Sequence, residues 1–102
     1  MATSSIATRN GEREIALTVQ VWKEGASYVA YCPELDVSSC GKIAGQAKTR
    51  LREAVALFIE EAARIGTLEE ILAESGFERR GKTYRQRAVL IREKIRLTLP
   101  AA

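Results

Sequence analysis

The hydrophobic period of this chain changes once, and that change constrains the fold more than any single motif. From Ile15 to Trp22, the apolar residues Ile15, Leu17, Val19 and Val21 alternate with Ala16, Thr18, Gln20 and Trp22. A period of two is the pattern of a strand with one buried face. From Ala44 to Ile65, Ala47, Leu51, Ala54, Val55, Phe58 and Ala62 fall instead at steps of three or four, with Lys48, Arg52, Glu53, Glu60 and Glu61 between them. That is a long helix with one apolar stripe. A half-buried strand and an amphipathic helix each need the other as cover, so a two-layer α+β fold is expected. The 102 residues suffice for one such domain with a modest core.

The remaining segments follow from the turn-forming residues. Gly25, in Lys23-Glu24-Gly25-Ala26, turns the first strand into a second at Ser27 to Cys32, which places Val29 and Tyr31 opposite Tyr28, Ala30 and Cys32. Pro33 has no backbone donor and stops that strand. Glu34-Leu35-Asp36 then leads to a short third strand, Val37 to Cys40, closed by Gly41. Beyond the long helix, Gly66 suits its C-terminal cap, and Thr67 with Glu70 forms a capping-box pattern for a short second helix ending by Gly76. Between Arg87 and Leu99, apolar residues recur at odd positions, although Ala88, Ile91, Ile95 and Leu99 also suit a helix. A strand is expected at Ile95 to Leu99, ended by Pro100. The expected order is βββααβ: a three-stranded antiparallel sheet plus a C-terminal strand, packed on one long helix. Residues 1–12, small and polar, are expected to be a loose tail of an unexported protein, and residues 13–102 the domain.

Composition excludes several chemistries. The chain has no histidine and two cysteines, so it offers no Ser-His or Cys-His pair and too few ligands for a structural zinc. The Cys-x7-Cys spacing of Cys32 and Cys40 is too wide for a redox motif. Both are expected as thiols facing each other in the packed layer. No metal or cofactor is expected. No apolar run approaches the ~20 residues that span a bilayer. Charge is uneven: residues 1–76 carry 8 Lys/Arg and 11 Asp/Glu, a net −3, whereas residues 77–102 carry 8 and 2, a net +6.

Two groups of residues are candidates for contact with a partner. Trp22, Tyr28 and Tyr31 suit either an interface patch or cross-strand packing. Glu34, Leu35 and Asp36 suit either a contact loop or a solvated turn. A third group, Arg79, Arg80, Lys82, Arg85 and Arg87, suits either phosphate contacts or a solvated face, with Tyr84 the one ring among them available for stacking.

The stretch YVAYCPELDVSSCG, residues 28–41, followed by LREAVALFIEEA, residues 51–62, resembles the N-terminal domain of the HicB antitoxin family. That family shows a Y-x-A-x-C-P-E-L-type hairpin before a G-D-T-x-E-E-A-type helix start. The likeness runs from about Ile15 to Ala63, and KIRLTLP is similar to the last strand of compact members. The resemblance implies a partial RNase H fold without its catalytic carboxylates. It also implies a bacterial, cytoplasmic, non-enzymatic protein that binds and silences a small HicA-type mRNA interferase, as a homodimer or higher oligomer. Of the strand carboxylates, Glu14, Glu34 and Asp36 do not converge as an RNase H metal site requires. At the helix start, Lys42 and Ile43 replace the acidic residue and threonine, and Gly45 and Gln46 the acidic pair. A first turn that is frayed or capped by Ser39 is therefore expected. No helix pair of the kind that represses an operon follows KIRLTLP, so autonomous operator binding is not expected. The alternative function is a nucleic-acid-binding transcriptional regulator that uses the basic C-terminal segment.

Overall fold

The alternating segment becomes one long strand, and every other sheet element is placed relative to it. The computed structural model describes residues 2–7 and 14–101. They form β1 (Ala2–Ala7), β2 (Glu14–Glu24), β3 (Ser27–Cys32), β4 (Val37–Gly41), α1 (Ala44–Ile65), α2 (Leu68–Glu74), β5 (Phe77–Arg80) and β6 (Thr83–Gln86). The fold is α+β, with a mixed sheet packed on a long helix. Hydrogen-bonded neighbours run β4-β3-β2-β6-β5, and β1 pairs with β2 outside that path. All pairings are antiparallel except β2 with β6, which is parallel.

The core lies between the sheet and α1. Leu17 and Cys32 from the sheet meet Leu51 and Val55 from the helix, and all four are almost fully buried. Truncating a leucine at such a site costs about 2–5 kcal/mol. The helix start sits closest to the sheet, where Ala30 and Ala47 are 0% exposed. Gly41 permits this approach, because a Cβ there would lie 2.7 Å from the Ala47 nitrogen.

The C-terminal end of α1 is capped by Gly66 as expected, whereas the starts of both helices are served differently from expectation. No side chain caps α1 at Ile43. Instead, the Lys42 N–H donates to Gln46 Oε1 at 2.7 Å, so the glutamine in the first turn reaches back where Ser39 was expected to reach forward. At the other end, Gly66 takes a φ of 91° and donates to the Ala62 and Ala63 carbonyls. Thr67 does not cap α2. Its N–H and its hydroxyl both donate to the Ala62 carbonyl, because the tight link between helices draws it into the end of α1.

The two ends of the sequence depart furthest from expectation. Within the expected tail, Ala2–Ala7 pairs with β2 from Glu14 to Val19; the rest of 1–12 lies outside the described residues. The expected strand at Ile95 to Leu99 does not form, and residues 87–101 have no regular structure. The late strands are β5 and β6 instead, a hairpin whose turn contains Gly81 at φ 64°. Phe77 and Tyr84 are the buried anchors of that hairpin. Alternation at 95–99 is a local signal, whereas the hairpin has a glycine turn and a core to enter. Among the described residues no helix is long and apolar enough to cross a membrane.

Gly41→Ala should lower stability by about 1–3 kcal/mol, since backbone rather than a flexible side chain blocks the new methyl group. Gly45→Ala has nothing within 4 Å of its Cβ and should stabilise α1 by up to ~1 kcal/mol. Thermal unfolding of the two variants checks the contrast: opposite shifts in Tm are expected.

Candidate functional site

A hydrogen-bonding gap in β2 explains the turn between the two cysteines. Gln20 to Glu24 pair with β3, and Glu14 and Ile15 pair with β6, with the Glu14 N–H donating to the Lys82 carbonyl at 2.8 Å. Alternate residues of a strand direct their N–H groups to the same edge. Glu14, Thr18 and Gln20 therefore share one edge, and Thr18 falls where neither β3 nor β6 reaches. Glu34 fills the gap. Its Oε1 accepts from the Thr18 N–H at 3.0 Å, and its Oε2 from the Thr18 hydroxyl at 2.6 Å. The Cys32 thiol donates to Oε1 at 3.5 Å, and Gln86 Nε2 donates to Oε2 at 3.3 Å. Burial pushes this carboxyl up, but the Thr18 hydroxyl and N–H, with the turn's own N–H and the thiol, outweigh it and hold the group below the ordinary glutamate value.

The other turn residues divide between core and surface. Leu35 is buried and joins the core, so it is an anchor of the turn rather than a contact residue. Asp36 is exposed, takes a φ of 56°, and accepts from the Tyr31 hydroxyl at 2.8 Å. The hydrogen bond to Asp36 raises the Tyr31 pKa above its ordinary value, with smaller contributions from burial and nearby negative charge. Asx residues tolerate the left-handed region, which lets the turn close in four residues, 33–36.

The three aromatic candidates do not form one patch. Tyr28 shares the helix-facing side of β3 with Ala30 and Cys32 and packs at the margin of the core. Lys23 Nζ lies 6.0 Å from its ring centroid. Trp22 and Tyr31 point to the other face, which no helix among the described residues covers. Their rings meet edge to face at 6.1 Å, and Trp22 remains 42% exposed. Val29 and Cys40, cross-strand partners, lie on the same face. Trp22, Tyr31 and Asp36 thus form an open, rigidly held surface of two aromatics and a carboxylate.

The cysteines occupy opposite faces rather than facing each other. Cys32 pairs with Val37 and Cys40 with Val29, and three steps along β4 reverse the side-chain direction. Cys32 is buried, and burial pushes its thiol up to about 11. Cys40 is an exposed free thiol. Between β2 and α1, a cavity of ≈ 20 Å³ lined by Leu17, Cys32, Leu51 and Val55 has room for about one water. Among the described residues no group of three or more His, Cys, Asp or Glu is placed to hold a metal ion.

The basic candidates gather on the late hairpin. Arg79 and Arg80 lie on β5, Lys82 in the turn, Arg85 on β6 and Arg87 just after it. Arg80 reaches Glu78 at 3.4 Å, and Arg79 lies 4.0 Å from Glu69. The one ring suited to stacking, Tyr84, is buried, and its hydroxyl donates to Glu69 at 2.7 Å. Sequence reasoning missed this hairpin and the bridging role of Glu34. The Arg80-Gly81-Lys82-Thr83 turn signal was available for the former; a contact across 16 residues gave no local signal for the latter.

No family model, curated protein or solved structure matches this chain.

Glu34→Ala should destabilise the protein by about 1–2 kcal/mol at neutral pH, because the Thr18 N–H and hydroxyl lose their acceptor. The folded pKa of Glu34 lies below its ordinary 4.5, so its contribution is present above about pH 4.5 and is lost as pH falls through the folded value. Urea unfolding at neutral pH and near pH 3 checks this. The gap between wild type and Glu34→Gln should narrow in acid.

Proposed function

We propose that this chain is a HicB-like antitoxin, or a solitary HicB-like interaction module, that binds and neutralises a small HicA-type mRNA interferase. It acts without catalysis, as a homodimer or higher homo-oligomer in the bacterial cytoplasm. The carrying observation is the uncovered sheet face with Trp22 and Tyr31 held edge to face beside exposed Asp36. Aromatic side chains on a rigid, unlayered sheet are the material of binding hot spots. Asp36 adds a negative charge suited to a basic RNA-cleaving partner. Neutralisation by occlusion needs shape and affinity rather than reacting groups, and the chain without histidine meets that requirement. The residues shared with the HicB pattern, from Tyr28 to Leu35, build the strand and turn that carry this face.

The second reading, a nucleic-acid-binding transcriptional regulator, rests on the basic residues of the β5–β6 hairpin. Its support is weaker, because Arg79 and Arg80 lie near carboxylates and Tyr84 is buried away from any base.

The test is co-purification with a HicA-type protein and an RNA-cleavage assay of the mixture. We expect saturating protein to suppress cleavage, and Trp22→Ala or Tyr31→Ala to weaken binding roughly 30-fold or more. Unchanged cleavage at saturation would falsify the antitoxin reading. Duplex DNA titrated at about 50 and about 200 mM salt tests the rival, whose binding should fall steeply with salt.

A further inference from the structure

Residues 87–101 form a structural anomaly. Their root is fixed, since the Arg87 N–H donates to the Gly76 carbonyl at 2.9 Å. Beyond it every side chain is exposed and no regular structure forms. Val89, Leu90, Ile91, Ile95, Leu97 and Leu99 are among the large apolar residues left in solvent, with Leu90 at 93% and Leu99 at 83%. Water does not favour such a segment standing alone, and apolar surface of this extent marks an interaction site.

The arm is patterned as a strand. Ile95, Leu97 and Leu99 alternate with Lys94, Arg96 and Thr98, so an extended backbone places the aliphatic groups on one side and the polar groups on the other. A strand needs an edge to join. Glu78, Arg79 and Arg80 make the β5 edge charged, a device that discourages pairing, and β1 occupies β2 from Glu14 to Val19. The far edge of β4 differs from that of β5. Val37-Ser38-Ser39-Cys40-Gly41 has no charge and no proline, and β4 ends the sheet there. Arg50 donates to the Cys40 carbonyl at 3.1 Å, and among the described residues no strand lies alongside.

We propose that the arm of one copy adds as a strand to the β4 edge of a second copy, and that the exchange is reciprocal. Each chain carries both the donor segment and the acceptor edge, so a two-fold arrangement satisfies both at once. The area is adequate. Ile95, Leu97 and Leu99, at roughly 60–120 Å² each, bring roughly 360–720 Å² from two arms, and the acceptor surface they cover adds roughly as much again. A specific interface buries ~1,200–2,000 Å² in total. Nine residues of extended chain from Gln86 to Ile95 span roughly 30 Å, enough to reach a neighbouring molecule. This inference rests on the self-association proposed above and specifies its geometry; it is independent of the toxin.

Sedimentation of the full-length protein, with the double variant Ile95→Asp/Leu97→Asp alongside, tests the donor. Wild type should be dimeric and the variant monomeric with an unchanged far-ultraviolet spectrum. Cross-linking tests the acceptor, because Cys40 is exposed while Cys32 is buried. Single cysteines at Lys94, Ile95, Arg96 and Leu97 should form intermolecular disulfides with Cys40 at alternate positions only, and Cys40→Ser should abolish them. A dimer that survives the double variant overturns the arm exchange and leaves self-association standing. A wild-type monomer overturns both. Cross-links within one chain, or at every position, overturn strand addition to a second copy.

Discussion

The Glu34 carboxylate joins parts of the sheet that the backbone ladder alone leaves apart. It stands at the point on β2 where β3 has ended and β6 has not begun, and supplies the acceptor a neighbouring strand would have supplied. A side chain can do this because a carboxylate accepts several hydrogen bonds at once, and charge-assisted bonds are stronger than neutral ones. The interaction also ties the turn between β3 and β4 to the last strand through Gln86, 52 residues away. The acidic turn is thus a structural joint before it is a surface.

This joint determines which residues remain free to bind. With Glu34 engaged and Leu35 in the core, the turn presents Asp36, whose left-handed backbone places it against the Tyr31 hydroxyl. The one-sided cover of the sheet does the rest. The long helix buries the face of Leu17, Ala30 and Cys32 and leaves the Trp22–Tyr31 face open, so strand alternation alone separates core from candidate interface. The same asymmetry separates the two cysteines. One is an inert thiol in the core, and the other is an exposed thiol on the edge strand.

The C-terminal quarter shows how local pattern and tertiary context part company. Ile95 to Leu99 has the better alternation, yet Phe77 to Arg80 and Thr83 to Gln86 are the paired strands. Phe77 and Tyr84 can reach the core beside α2, whereas the arm has no vacant edge within its own chain that it occupies. A pattern states what a segment is suited for, and available partners determine whether one molecule satisfies it.

The sequence by itself determined the β2–β3 hairpin, the stop at Pro33, the third strand and the extent of the long helix. In each case neighbouring residues carry the cause: a period, a glycine or a missing donor. The tertiary structure alone decided that Glu34 bridges Thr18, that Leu35 is core, that Gln46 rather than Ser39 serves the helix start, and that Trp22 and Tyr31 part from Tyr28. These outcomes depend on which groups meet across the fold. A side chain's hydrogen-bonding capacity is written in its own chemistry, but its partner is chosen by the packing of helix on sheet.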